Sequence, residues 1–437
     1  MAAYIEPKVL KGFRDFLPDA EIVRRSLIEN IENTCRSFGF VPIDTPAMEY
    51  AEILLGKSGG ETEKQIFRFK DNGERDVALR FDLTVPFARF VALHRTDLVF
   101  PFKRYHIGKA WRGENTQRGR YREFIQCDFD IIGSDTPSSD FEIILLIRAV
   151  FKNLGVDVDI NVNHRGLFNR FLSHIEQSEK SVEILRTVDK LSKVGENKTR
   201  ESLTDLTGNA NANKILEFIG AKGSFKEVLE RITELSGGDC AQSQRLSQLR
   251  EYMLDACEDE SNDPFILNPS ITRGLDYYTG VVFETFLKEM PDIGSVCSGG
   301  RYDNLAGLYS KEKDSISGVG TSVGLDRLLA ALESLNKLPA VNRCNTAITC
   351  ADGEKSGQYQ ALAQRIRNEG VPCEVFTDPC GEKNLVKQFV LAEKKGFQYV
   401  IIPSDTPKNI TLRNLKTRQN TELSLGEAIN KIKFDLR

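Results

Sequence analysis

Near the start of the chain, apolar residues recur at helical spacing. Ile22, Leu27, Ile28 and Ile31 mark one face of a predicted helix over residues 20–39, and Gly39 stands where a C-cap would stop it. The following stretch, FGFVPIDTPAMEY, reads as extended. Between Val77 and Ile132 come short apolar or alternating runs, ALRFDLTVPFARF, FPFKRYHIGKAW and YREFIQCDFDIIG. Polar turns rather than helices separate them, which predicts an antiparallel sheet. Phe141 to Phe151 reads as a buried helix with Asp140 as its N-cap, and VDVDINVNH alternates like a further strand.

From about Gly166 to Asp263 the texture turns Leu-rich and Lys/Glu-rich, as in SVEILRTVDKLSKV and FKEVLERITEL, and strand signal nearly vanishes. This predicts a helical insertion at about 170–262. Strand character returns with ITRGLDYYTGVVFETFL, and ISGVGTSVGLDRLLAALESL reads as a strand running into a helix. Asn336 to Arg343, with Pro339, is the expected linker. Beyond it, the strands TAITCA, CEVFT and FQYVIIPS alternate with helical patterns, the signature of βα units on a mixed or parallel sheet. The expected layout is an α+β domain over 1–335 and an α/β domain over 340–437.

Composition narrows the function classes. The 437 residues carry a net charge of −4, so the whole chain is no polycation. Its C-terminal part from Ala340 differs, with 15 Lys and Arg against 11 Asp and Glu, which suits an anionic partner or an ordinary solvated surface. The start, MAAYIEPKVLKGFRDF, has no apolar core of signal-peptide length, and no later segment approaches a membrane span. A cytoplasmic protein made without export, with no membrane partner, is expected. Nine scattered cysteines without a Cys-x-x-Cys pair fit a reduced thiol population, and four histidines without an HExxH give metal hydrolysis no support.

Two glycine-rich stretches fail as nucleotide motifs. In LLGKSGG the first glycine of a phosphate loop would fall at Ala51, and GVGTSVG has the wrong spacing for a dinucleotide fingerprint. The strongest stretch is WRGENTQRGRYREFIQCDFD, two strand-like halves flanking a loop that holds Arg112, Glu114, Arg118, Arg120 and Arg122. Arg112 and Glu114, two apart, would share a face if extended, and together could hold a phosphate and an amino-bearing base. A charge ladder across a hairpin is the bland alternative. It weakens because RGLDYYTG and VGLDRLL supply two more arginines, Arg273 and Arg327, in strand-edge contexts, which points to a polyanionic ligand.

These residues carry a resemblance. KGFRDFLP with FGFVPIDTP resembles motif 1 of the class II aminoacyl-tRNA synthetases, FKRYHIGKAWRGENTQRGRYREFIQCDFDIIG is similar to motif 2, and GVGTSVGLDRL to motif 3. RGLDYYTG and CSGGRYDNL resemble the two signature peptides of histidyl-tRNA synthetases, and the match runs in order from about residue 7 to 330. The resemblance implies a class II catalytic domain with an antiparallel sheet flanked by helices, a C-terminal anticodon-binding domain and a homodimer closed through motif 1. It implies L-histidine, ATP with Mg²⁺, and tRNA as substrates and partners. By resemblance Arg112 would hold the α-phosphate, Glu114 the adenine amino group and Arg327 the γ-phosphate. Arg273 would approach the α-phosphate from the other side as the catalytic arginine. Asp82, Thr84 and Gln126 match positions that bind the α-ammonium; Asp130 and Tyr278, with Tyr277 beside them, match those that grip the imidazole.

Asp82 and Asp130 stand where some members carry Glu, one methylene longer, so compensating backbone placement is expected. His106 and Cys297 sit inside motifs and read as packing residues. In the C-terminal part, ITLRNLKTRQN with Arg413, Lys416 and Arg418 is the candidate RNA-contacting stretch, or else a solvated strand pair. The competing function is a non-catalytic paralogue acting as a regulatory or tRNA-sensing subunit. Retention of Arg112, Glu114, Arg273 and Arg327 favours the enzyme.

Overall fold

Strand alternation over Phe102–Trp111 and Glu123–Ile132 builds two neighbouring strands of the main sheet. The structure is a computed structural model that describes residues 4–56, 65–256, 263–271, 278–303, 305–309, 316–341, 344–404 and 409–435. By contacts the chain divides into two units, one of Met1–Leu17 with Arg24–Pro339 and one of Pro18–Val23 with Ala340–Arg437.

In the first unit the strands are β1 (Val41–Pro42), β2 (Met48–Tyr50), β3 (Arg68–Lys70), β4 (Asp76–Leu79), β5 (Phe102–Trp111), β6 (Glu123–Ile132), β7 (Val158–His164), β8 (Phe265–Leu267), β9 (Val281–Leu287), β10 (Cys297–Tyr302) and β11 (Gly318–Gly324). Among the described residues, eight of them form one sheet in the order β1-β5-β6-β11-β10-β9-β7-β8, and β2-β4-β3 form a small second sheet. The six inner strands of the large sheet pair antiparallel, while β1 and β8 join the two edges in parallel.

One face of this sheet is apolar. Cys127, Phe129 and Ile131 of β6 pack against Ile143, Ile144, Ile147, Val150 and Phe151 of the helix Pro137–Asn153, with Leu27, Ile31 and Cys35 of the helix Pro18–Ser37 in the same core. The latter helix starts on a proline, has Asp19 and Glu21 in its first turn, and ends before Gly39, whose φ of 78° only glycine adopts without strain.

Two local expectations change. TVPFARFVAL is not a strand but the helix Thr84–Leu93. Pro86 lies in its first turn, where no backbone donor is missed, and Val85, Pro86, Phe87, Ala88 and Val91 are its buried residues. Asp140 is not the N-cap of its helix: that role belongs to Thr136, whose side chain accepts from the Ser139 N–H at 3.3 Å. Asp140 lies inside the helix, wholly buried, and binds Arg301 Nη2 at 2.6 Å and Arg245 Nε at 2.6 Å.

The inserted region is helical from Arg165–His174 through Ala241–Asp255. Its core is continuous with that of the sheet: the rings of Phe171 and Phe218 stack at 4.5 Å, and Phe168 meets Phe218 edge-on at 5.4 Å. Ser224 and Glu227 form a capping box that starts the helix Phe225–Leu235.

The second unit carries β12 (Thr346–Ile348), β13 (Glu374–Val375), β14 (Tyr399–Pro403), β15 (Asn409–Asn414) and β16 (Asn420–Ser424). Their order is β13-β12-β14-β15-β16, parallel on the first side and antiparallel on the second. The helices Ser356–Asn368 and Leu385–Lys394 fall between strands as the alternation predicts, and Leu425–Asp435 closes the chain.

Candidate active site

Because side chains alternate along a strand, the face of the large sheet opposite its apolar core receives Gln126, Asp128 and Asp130 of β6. Register places neighbours directly beside them: Gly108, His106 and Arg104 on β5, and Gly324, Ser322 and Gly320 on β11. This face is polar, yet it is buried. Arg104 is 0% exposed, while Asp128, Asp130 and His106 are each 2% exposed.

Asp130 is held on both oxygens. The Tyr302 hydroxyl donates to Oδ1 at 2.7 Å, and Arg104 Nη2 stands 2.6 Å from Oδ2. Its carboxylate lies where a side chain at position 320 would be, 1.9 Å from the Cβ an alanine would add there, so only Gly320 fits. Burial pushes the Asp130 carboxyl upward, and Arg104 and the Tyr302 hydroxyl pull it back. The Arg104 guanidinium also covers the Phe87 ring, 4.2 Å from its centroid.

A cleft opens at the other end of this face. The loop between β5 and β6, the ends of β10 and β11 and the start of the helix Leu325–Ser334 line it, and it gathers Arg112, Glu114, Gln126 and Arg327. Arg112 donates from Nε to the Phe81 carbonyl at 2.9 Å, leaving Nη1 3.9 Å from Glu114 Oε1. Arg120 Nη1 lies 3.4 Å from Glu114 Oε2. Arg327 is steadied by the Ser295 carbonyl, and Gly119, at φ 69°, lets the loop pass over its Cα. Asp326 pairs with Arg14 and accepts from the Ile125 N–H at 2.7 Å, which ties the helix start to β6. Two guanidiniums and a carboxylate over an open cleft can hold a polyphosphate and a base bearing an amino group.

The other expected substrate residues lie on the polar face beyond the cleft lining. Asp82 is buried and accepts from the Val85 N–H at 3.2 Å, steadying the start of the helix Thr84–Leu93. The Thr84 hydroxyl reaches Asp128 Oδ2 at 3.5 Å, and Gln126 Nε2 donates to Ser322 Oγ at 2.9 Å. Tyr278 packs beside Tyr302, Ala88 and Leu305. Arg273 and Tyr277 lie outside the described residues. Thus four of the expected residues converge in the cleft, and Asp82, Thr84, Asp130 and Tyr278 sit on the adjoining face.

Asp128 is the residue the sequence reading passed over, although its period-two placement between Gln126 and Asp130 marks it. Burial pushes its carboxyl up to about 7, opposed by the Arg104 guanidinium; Asp130 and Asp82 add to the rise and Ser322 lowers it. His106 moves the opposite way, down to about 3, because burial and the Arg104 and Arg80 charges disfavour imidazolium against the pull of Asp44. Its Nε2 lies 3.0 Å from Asp44 Oδ1. Cys297 is buried beside Thr321, and burial pushes its thiol up to about 12, so it is not a reactive thiolate. No group of three potential metal ligands occurs among the described residues.

Comparisons with known proteins follow this geometry. A family model described as histidyl-tRNA synthetase matches residues 12–328. The chain is 49% identical to a histidine–tRNA ligase of Treponema denticola, covering 99% of both chains. It is 43% identical to one of Rhodopirellula baltica, covering 96% of both. Among solved structures, the crystal structure of histidyl-tRNA synthetase from Nostoc sp. PCC 7120 superposes with a TM-score of 0.86 at 28% identity, over 99% of this chain and all of that one.

Proposed function

The chain belongs to the histidyl-tRNA synthetase family, and from that premise we propose how its cleft and polar sheet face work. The protein activates L-histidine with ATP to histidyl-adenylate and transfers the histidyl group to the 3′ end of its cognate tRNA. One observation carries the assignment of the site: Arg327, far along the chain, lines a single cleft with Arg112, Glu114 and Gln126 of the β5–β6 hairpin.

ATP occupies that cleft. Arg112, fixed through Nε by the Phe81 carbonyl, keeps its terminal nitrogens for the α-phosphate, and Arg327 takes the γ-phosphate. Glu114 receives the adenine amino group. The histidine carboxylate attacks the α-phosphorus, pyrophosphate leaves, and fixed guanidiniums offset the charge that builds on the phosphoryl oxygens. Arg273, by its place in the signature peptide, completes this set from the far side. Asp82, Thr84 and Gln126 hold the α-ammonium, with the imidazole directed toward Asp130, Tyr277 and Tyr278. Mg²⁺ arrives as the counter-ion of the ATP phosphates, which suits a site whose described residues offer no carboxylate cage.

The basic C-terminal unit receives the tRNA, with Arg413, Lys416 and Arg418 on the hairpin of β15 and β16 as its phosphate contacts. A homodimer closing over motif 1 is supported by the exposure of Val41 in it, with Met48 and Tyr50 just beyond. A cytoplasmic setting is supported by the free state of every described cysteine, and no described helix is long and apolar enough to cross a membrane. The test is pyrophosphate exchange into ATP with each of the twenty amino acids singly. Exchange with histidine alone is expected; silence with all twenty in folded protein defeats the assignment.

A further inference from the structure

The N-terminal stretch KGFRDF lies against the wall of the cleft. The Gly12 carbonyl accepts from the Arg122 N–H at 2.9 Å, which lays the stretch along the loop between β5 and β6. Arg14 then joins two parts of the wall that are remote in sequence. Its guanidinium lies over the Tyr121 ring, 3.8 Å from the centroid, and over the Phe16 ring at 4.4 Å, while Nη2 pairs with Asp326. Tyr121 and Asp326 line the cleft, and Arg14 stands outside that lining. A planar cation that stacks and donates at once suits these three contacts.

Asp326 is the weak point of a phosphate site. It is 5% exposed, lines the cleft and immediately precedes Arg327. A carboxylate thus stands where the polyphosphate of ATP has to lie. Unpaired, its charge would repel the phosphates and compete with them for Arg327, at a strength that a low local dielectric increases. The Ile125 N–H donates to Oδ2 at 2.7 Å, but a backbone donor carries no net charge. Arg14 on Oδ1 supplies the compensating charge. The guanidinium is placed to cancel a charge of the cleft without entering it.

We propose that Arg14 is a positioning residue for ATP: held over the Tyr121 and Phe16 rings, it neutralises Asp326 and keeps that carboxylate off Arg327 and the phosphates. The inference rests on the ATP-binding reading of the cleft given above and adds to it a residue from outside the lining. It gives the N-terminal stretch a part in the reaction beyond cohesion.

The experiment is pyrophosphate exchange with the full chain, titrating ATP and histidine in turn, for wild type, Arg14→Gln, Asp326→Asn and the double variant. Arg14→Gln is expected to raise the KM for ATP about tenfold, the scale of coupling within one ion-pair network. The KM for histidine should stay within about twofold, since the uncompensated charge faces the phosphates. In the Asp326→Asn background the same change should move the ATP KM by less than about twofold, because the charge that Arg14 cancels is gone. A stretch that served cohesion alone would raise both KM values, lower Tm and have the same effect in either background. If Arg14→Gln does not fold by itself, the double variant, which leaves no unpaired carboxylate, is compared with Asp326→Asn by the same criterion. An unchanged ATP KM in Arg14→Gln, a parallel rise for histidine, or an equal effect in both backgrounds overturns the proposal. Wild type silent with histidine would instead remove the reading on which it rests.

Discussion

The two larger sheets of this protein follow opposite rules for what they bury. The C-terminal sheet is packed for itself: Ala347, Ile348, Val400, Ile401 and Leu412 fill its core, and its few buried polar side chains are satisfied. Gln388, for example, accepts from the Cys350 N–H at 2.9 Å and donates to the Cys350 and Asp378 carbonyls at 3.0 and 2.8 Å. The large sheet buries apolar residues on one face, while the other carries Arg104, His106, Asp128 and Asp130 with several atoms unpartnered. In the second unit Arg413 Nε is the single such buried atom among the described residues. Unmet polar demand lies in the first unit, part of it on the polar face of the large sheet, and is nearly absent from the described core of the second.

Breaking this contrast at its strongest point means removing a group that acts on the ligand and not on the fold. Arg112→Ala is expected to lower pyrophosphate exchange about 10³-fold with Tm little changed, as the half-buried guanidinium gives up one carbonyl contact. Exchange within about tenfold of wild type would show that the arginine does not face the reacting phosphate.

A packing probe comes next in size. Gly320→Ala would set a methyl group 1.9 Å from Asp130 Oδ1, whereas Gly357 of the second unit has nothing within 4 Å of the equivalent position. Thermal unfolding of Gly320→Ala should show a loss of about 3 kcal/mol or outright failure to fold. Gly357→Ala, in the first turn of the helix Ser356–Asn368, should gain up to about 1 kcal/mol. Equal responses would mean that the Asp130 carboxylate is not seated over β11.

An effect that vanishes at neutral pH tests the buried cations and imidazoles of the first unit. His164 ends β7, accepts from the Gly166 N–H at 3.0 Å, and is pushed down to about 4 by burial, with the Arg245 and Arg301 charges adding. The unfolded chain takes up a proton near pH 6.5 and the folded chain only near 4, so stability is lost as pH falls through that window. His164→Asn keeps a capping acceptor without the titration. Denaturation at stepped pH should find the variant gaining on wild type by about 1.4 kcal/mol per pH unit between 6.5 and 4, and no slope above 7. A flat difference throughout would place the imidazole in contact with water.

Much of this architecture was readable from pattern. The alternation of TAITCA, CEVFT and FQYVIIPS with helical segments announced the mixed C-terminal sheet, and the arginine-rich loop between two strand-like halves is the cleft wall. TVPFARFVAL misled because its apolar run flanks a proline and follows the strand-like ALRF, and only packing of Phe87 and Val91 under the sheet distinguishes helix from strand there. Asp128 was visible as an alternating position, but its surroundings were not: which carboxylate lies against Arg104 depends on the β5 register that sets Arg104 beside Asp130. Spacing within a motif cannot report a partner from another strand.

The shared core of the inserted helices has a consequence for how the chain can be altered. Phe168 and Phe171 lie in the helix that leaves the large sheet, and Phe218, deep within the insertion, completes their packing. Excising the insertion as though it were a surface loop would strip these rings of their cover and leave an aggregation-prone apolar patch beside the sheet. Homologous swaps should therefore take the insertion together with the helix Arg165–His174, since the two share one core.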